Sequence, residues 1–247
     1  MQTTIHEIAD GVHRLSTFVP DISPVGFTFN QYLVDADEPL LFHTGPRGMF
    51  PVVSVAAAKV IDLGRLRWIS FGHLESDECG AMNQWLAAAP HAEVTFNEVG
   101  CMVSINDLAD RPPVVAGEDD VADIGGHRMR TFFTPNVPHG FDAQVMFDET
   151  SRTLLCGDLF TQFGGGPALV HDEEALVAAA LVADDAFGAN LTPFTAPTLR
   201  RLAALEPRTL ALMHGPAFVG DGGKALRDLA DAYEARFVAQ CQQVVPA

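Results

Sequence analysis

Positive charge is scarce in this chain. Fifteen Lys+Arg stand against 32 Asp+Glu over 247 residues, a formal charge of −17. That balance argues against a partner gripped through phosphates or anionic headgroups, so no nucleic-acid or membrane partner is expected. Long apolar runs are missing too: no segment approaches the ~20 apolar residues of a membrane span. The N-terminus, MQTTIHEIADGVHRLS, has neither a basic leader nor a long apolar stretch behind it. The expectation is a soluble, unprocessed, cytoplasmic protein. Cysteine is thin, and Cys79, Cys101, Cys156 and Cys241 form no C-x-x-C pair. This excludes rubredoxin-like and thioredoxin-like motifs and suits a reducing compartment. Inert thiols are the expected role, with Cys79 set apart by its acidic neighbours. There is no repeat, low-complexity tract or Pro/Ser-rich linker, so residues 1–247 are expected to form one domain. The run FGGGPALV at 163–170 lacks the Gly-Lys-Ser/Thr of a phosphate loop. It is expected to be a flexible segment beside the site, with Phe160 and Phe163 more simply core than wall.

What is present is ordered from strand-rich to helical. Apolar alternation and turn signals place strands at Ile5–Ile8, Val12–Phe18, Gly26–Val34 and Leu40–His43. A helix at Phe50–Ile61, a strand at Leu66–Phe71 and an Ala-rich helix ending near Ala88 follow. Val94–Phe96 reads as a strand, Glu98–Ile105 as a short helix and His127–Thr134 as a strand. Gln144–Phe147 and Thr153–Cys156 form a hairpin turned at Asp148–Ser151. Helices at Asp172–Phe187, Thr195–Leu205 and Lys224–Gln240, with a strand at Thr209–Met213, complete the chain, GDGGK at 220–224 being a turn. This order suggests an α/β protein with two sheets flanked by helices.

The chemistry concentrates in FGHLESDECG, residues 71–80. In an extended loop, residues i, i+2 and i+4 share a side, so His73, Glu75 and Asp77 can converge. Asp77 and Glu78 could instead simply favour the positive end of a helix. Three more polar residues sit where apolar strands end: His139 in FFTPNVPHGFDA, Asp158 in LLCGDLF and His214 in LALMHGP. Strand ends are where α/β folds line a crevice. His6, His13, His91, His127 and His171 fit no such pattern and are read as surface or packing residues. Three imidazoles and three carboxylates, with Glu78 as a possible fourth, exceed the needs of one tetrahedral zinc and suit two ions sharing a carboxylate. Three or four carboxylates nearly neutralise two divalent ions. Oxygen donors mixed with imidazole favour iron or manganese.

The order His73-x-Glu75-x-Asp77, then His139, Asp158 and His214, resembles the diiron site of flavodiiron proteins. The resemblance spans essentially the whole chain, including the FNQYLV…LLFHTG strand pair. It implies a metallo-β-lactamase-like αββα sandwich of two mixed sheets flanked by helices, with two non-haem iron ions at one edge. His73, Glu75 and His139 would hold one iron, Asp77 and His214 the other, and Asp158 would bridge them. Glu75 separates this pattern from the hydrolytic branch, which typically has H-x-H-x-D-H. Three departures stand out. Asp77-Glu78 replaces the common Asp-His, making Glu78 an additional ligand, or leaving water or an open position on the second iron. His43-Thr44-Gly45 replaces the usual Asp-x-Gly, making His43 either a partner that orients a ligand or a buried structural histidine. Only 33 residues follow His214, too few for the flavodoxin-like domain of the relatives, so no flavin is expected in this chain.

The resemblance implies binding of dioxygen or nitric oxide. The protein would then be a sensor or carrier read by a signalling partner, or a reductase fed by a separate redox donor, and a homo-oligomer remains open. The alternative is a binuclear zinc or manganese hydrolase of an ester, lactone or thioester. Glu75 and Glu78 count against it, because carboxylates make the metals weaker Lewis acids. A metal-free scaffold is disfavoured because competent ligands occupy all six positions.

Overall fold

The computed structural model describes residues 1–188 and 191–244. The first seven-stranded sheet runs in order β1 (Thr3–Ala9), β2 (Val12–Val19), β3 (Phe27–Val34), β4 (Leu40–Phe42), β5 (Trp68–Ser70), β6 (Glu93–Asn97) and β7 (Val114–Ala116). It is antiparallel through β4 and parallel from β4 to β7. Between its strands lie helices α1 (Phe50–Ala57), α2 (Ser76–Cys79) and α3 (Met82–Ala88), then α4 (Glu98–Gly100), a π-helical turn (Cys101–Ile105) and α5 (Asn106–Leu108).

The second sheet contains β8 (Val121–Asp123), β9 (Arg128–Phe133), β10 (Gln144–Asp148), β11 (Thr153–Leu155), β12 (Leu169–Val170), β13 (Thr209–Ala211) and β14 (Ala217–Val219). Its spatial order is β12-β14-β13-β11-β10-β9-β8. Antiparallel and parallel pairs both occur, so both sheets are mixed. Helices α6 (Glu173–Phe187), α7 (Thr195–Ala203) and α8 (Gly222–Val244) cover it. Among the described residues no helix is long and apolar enough to cross a membrane.

The period-two pleat sorts the core into three layers. Leu33 and Leu41 face α1 and α3, packing with Val53, Trp85 and Leu86. Their neighbours Tyr32, Val34, Leu40 and Phe42 face the opposite way and meet Met129, Met146, Leu155 and Ala211 between the sheets. Leu154, Leu210 and Leu212 face α6, α7 and α8 through Leu176, Leu199 and Leu229. Apolar residues on both faces of the central strands thus produce the αββα layering.

Most expected elements are present, and the differences have local causes. The helix from residue 50 stops at Ala57, four residues early, and the Ala-rich helix is broken into α2 and α3. Asp172 caps α6 by accepting from the Ala175 N–H. The GDGGK turn instead supplies the start of α8: Asp221 Oδ1 accepts the Lys224 N–H at 2.7 Å, and the helix begins at Gly222. Strands β7, β8, β12 and β14 escape a sequence reading because two or three residues carry no periodicity. Leu169–Val170, expected to be flexible, pairs with β14 as an edge strand.

His127 is neither on the surface nor a packing residue alone. Its Nδ1 lies 2.7 Å from Oδ2 of Asp148, which also accepts from Ser151 Oγ, tying the start of β9 to the end of β10. The bond to Asp148 raises the His127 pKa, and despite burial the same partners lower that of Asp148. The His127 contribution is therefore complete below its unfolded pKa and fades as pH rises through the folded one. That of Asp148 is lost as pH falls through its depressed value. His127→Gln should cost about 1.5–3 kcal/mol near pH 5–6, the range for a bond to a charged group. The gap should narrow above neutrality; denaturant melts at several pH values measure it.

Candidate metal centre

Strand direction brings the polar residues together. β4 and β5 run parallel in one sheet, and β11 and β13 run parallel in the other. Their C-terminal ends lead into His43, His73, Asp158 and His214, while His139 lies in the loop after β9. The sheets are stitched together at this edge. Asn30 Nδ2 donates to the carbonyls of Leu212 and Gly215, both at 2.8 Å, and Tyr32 Oη donates to Leu212 at 2.6 Å. The Asn30 N–H donates to Met213, and Arg14 donates to Gly215. These bonds hold the segment carrying His214. On the other side the Gln144 N–H donates to the Gly72 carbonyl, and Leu74 N–H donates to Asp142. At Gly72 a Cβ would come within 2.8 Å of Glu78 Oε2 and 3.1 Å of Gly157 Cα, so the loops after β5 and β11 approach as closely as glycine permits.

All six expected positions meet here. One oxygen or nitrogen from each of His73, Glu75, His139 and Asp158 falls within a 4.8 Å set that could hold a metal ion. His73 Nε2 is 2.8 Å from Glu75 Oε2, and His139 Nε2 is 3.1 Å from Asp158 Oδ2. On the far side of Asp158, His214 Nε2 is 3.2 Å from Oδ1 and 3.3 Å from Asp77 Oδ2. Nδ1 of His214 faces the Thr28 carbonyl at 2.8 Å; a carbonyl only accepts, so Nδ1 carries the proton and Nε2 is left for the site.

Glu78 is placed differently. It is fully buried, accepts the His73 N–H at 2.7 Å, and lies 3.2 Å from His73 Nδ1 and 3.5 Å from His43 Nε2. It therefore stands behind His73, on the ring edge opposite Nε2. The two departures at positions 43 and 78 are spatial neighbours. His43 is completely buried with φ +66°, an uncommon conformation outside glycine. Both its ring nitrogens lack an aligned hydrogen-bond partner, and burial lowers its pKa, keeping it neutral.

The electrostatics demand positive charge. Burial favours neutral imidazole, yet Glu78 and Glu75 push His73 up to about 12, and Asp158 and Asp77 push His214 up to about 10. Hydrogen bonds to Asp158 and Glu75 carry His139 to about 9. Bonds from His139 and His73 hold Glu75 at about 2, and the histidines hold the buried Asp158 well below its usual range. Asp158 Oδ1 is buried without an aligned donor. Facing nitrogens and carboxylate oxygens, one of them orphaned, form a donor set that fits divalent cations.

A cavity of about 340 Å³ opens onto this cluster. Phe27 lies over His214 with centroids 4.2 Å apart and Phe187 extends the aromatic wall, while Phe163 packs beneath them against the core. Phe160 belongs to the core under α6–α8. Sequence reasoning missed Phe27, Asp184 and Phe187, which also line the cavity, and Asp142, which supports the loop by accepting the Leu74 N–H. Cys79 is half-buried, and burial beside Glu78 raises its thiol to about 11.

Two mixed sheets between helical layers, with imidazoles and carboxylates at one edge, define a metallo-β-lactamase-like protein. Within that class, the chain belongs to the ODP family beta lactamases, whose profile matches residues 27–184. The rubredoxin-oxygen oxidoreductase of Megalodesulfovibrio gigas is 24% identical over 206 residues, 81% of this chain and 51% of that protein. The anaerobic nitric oxide reductase flavorubredoxin of Salmonella arizonae is 24% identical over 151 residues, 60% and 31% of the two lengths. The chain thus spans about half, or less, of the curated relatives it matches. Among solved structures, rubredoxin oxygen:oxidoreductase from Desulfovibrio gigas superposes with a TM-score of 0.80 at 21% identity, over 94% of this chain and 62% of that one. A 1–254 fragment of putative diflavin flavoprotein A 5 from Nostoc sp. PCC 7120 gives 0.78 at 17% identity, over 98% of both.

Two variants separate the roles of the carboxylates. Asp158→Ala should lower the amount of metal held, read as metal per chain after loading. Glu78→Ala should cost about 3 kcal/mol of stability by orphaning a buried donor and an imidazole, whereas Glu78→Gln should retain most of it. Equal metal loss in Glu78→Gln and Asp158→Ala would instead make Glu78 a ligand.

Proposed function

We propose that this chain is a non-haem diiron protein that binds dioxygen or nitric oxide. The observation that carries the reading is the position of Asp158, whose Oδ2 faces His139 while Oδ1 faces His214. One carboxylate turned toward two donor groups suits a bridge between two ions. His73, Glu75 and His139 would hold the first, and Asp77 and His214 the second. Glu78 is read as a support for His73, which leaves the second ion with fewer protein ligands and open to a small molecule from the cavity. Two ferrous ions would supply two electrons and a vacant coordination position for a diatomic gas. Glu75, Asp77, Asp158 and Glu78 together balance four positive charges.

The names of the relatives, which speak of oxygen oxidoreduction and nitric oxide reduction, support handling of the same gases. Reduction of dioxygen to water consumes four electrons, twice what the iron pair holds, so turnover needs a separate donor of the flavoprotein or rubredoxin class. Without one, the same site acts as a sensor or carrier. The chain residues do the remaining work: Phe27 and Phe187 present an apolar approach for an uncharged gas, and Thr28 fixes the ring of His214.

The test is to load the purified protein with iron, measure metal per chain, reduce it anaerobically and add oxygen while recording the visible spectrum. About two irons per chain and an oxygen-dependent charge-transfer band are expected. Stable zinc binding with no spectral response, together with ester, lactone or thioester hydrolysis, would replace this reading with the hydrolytic one.

A further inference from the structure

One acidic side chain on the cavity wall takes no part in the cluster. Asp184 lies in the last turn of α6 and lines the same cavity as His139, Asp158, His214 and Phe187. Its Oδ2 accepts a 2.7 Å hydrogen bond from Tyr233 Oη, which reaches across from α8 and is itself 2% exposed. Arg236, the nearby cation on α8, is engaged by Asp185 at 3.0 Å and by the Leu181 carbonyl. The carboxyl of Asp184 is thus held at one oxygen, with the cavity before it.

Resting on the diiron reading, we propose that Asp184 is a catalytic residue that delivers protons to dioxygen or nitric oxide as it is reduced in the cavity, and that Tyr233 is the positioning residue that aims it. Its surroundings shift it toward the acid form. Burial raises its pKa, and Asp185 adds to this, while the Tyr233 hydroxyl, Arg236 and His139 act the other way. The negative end of the α6 dipole also opposes ionisation. Across the cavity, the carboxylates of Glu75, Asp77 and Asp158 are balanced by histidines or bound cations.

The step balances simply. The Asp184 O–H bond breaks, its proton passes to an oxygen atom of the substrate, and the electrons come from the iron pair, refilled by a reduced flavoprotein or rubredoxin. The carboxylate left behind is reprotonated from solvent, to which this half-buried residue has access. Over a full turnover, each dioxygen takes four electrons and four protons to give two waters, and two nitric oxide molecules take two electrons and two protons to give nitrous oxide and one water.

The experiment compares wild type, Asp184→Asn, Asp184→Glu and Tyr233→Phe. Isotope-edited infrared titration of the zinc-loaded protein should reveal a protonated carboxyl in wild type that is missing from Asp184→Asn. In the iron form, the rate of oxygen-driven oxidation should fall as pH rises through that titration. Asp184→Asn should lower the neutral-pH rate about 100-fold, a typical general-acid effect, and abolish the fall without changing iron per chain. Asp184→Glu should recover part of the rate. Tyr233→Phe removes a bond that favours the carboxylate, so the fall should move to higher pH. Wild-type rate and pH profile in Asp184→Asn, or an ionised Asp184 throughout the neutral range, overturns the proposal and leaves the diiron reading intact. A wild-type protein without iron or oxygen response overturns both.

Discussion

Two carboxylates at the sheet edge, Glu78 wholly and Asp158 largely, are withdrawn from water, and such charges persist only beside compensating ones. Much of the site's arrangement follows from that constraint. His73 stands between them, with Glu78 at Nδ1 and Asp158 and Glu75 on the Nε2 side. His139 and His214 complete the circle, one toward each oxygen of Asp158. Protons or divalent ions can satisfy this demand, and the two compete for the same nitrogen lone pairs. The site therefore presents a cation-binding surface whether or not a cation occupies it.

Holding such groups together requires a rigid edge. The seam from Asn30 and Tyr32 to the 212–215 segment fixes one sheet on the other, so His214 is placed by hydrogen bonds from the opposite sheet. Close approach at Gly72 and Gly157, and left-handed backbone at His43 and Phe160, concentrate conformational strain around the cluster. Strain of this kind persists where surrounding packing over-determines it, and here the three-layer core supplies that packing. The open side is different in character: Glu75 and His139 remain partly exposed, and α6 contributes Asp184 and Phe187 to a cavity with both polar and aromatic walls.

Two sheets flanked by helices were legible from the order of elements, strand-rich, then alternating, then helical, while the αββα sandwich came with the family resemblance; Leu40, Leu41 and Phe42, or Leu154 and Leu155, buried on both faces, are what that layering looks like once folded. The six-position pattern was legible because His73, Glu75 and Asp77 alternate along one loop while His139, Asp158 and His214 each follow an apolar strand. The short strands β7, β8, β12 and β14 were not, since two or three paired residues leave no period. Glu78 and His43 could each be singled out as departures, but their contact could not. It depends on the segment after β4 meeting α2, where the Thr44 N–H donates to the Glu78 carbonyl. His127 was passed over because its partner, Asp148, lies 21 residues away across a strand pair.

By itself the sequence determined which residues could chelate, because imidazole and carboxylate chemistry is carried by the side chain and survives in any fold. It also determined the class of layering, because strands that give way to alternating and then helical segments need helices on the outer faces of their sheets. Tertiary structure alone decided direction: that Asp158 divides its oxygens between His139 and His214, that Glu78 turns to the back of His73, and that Asp184 reaches the cavity from α6. Those outcomes depend on distances of about 3 Å between residues 5, 19 and 56 positions apart, and they are fixed by strand register, packing and backbone hydrogen bonds that no local pattern encodes.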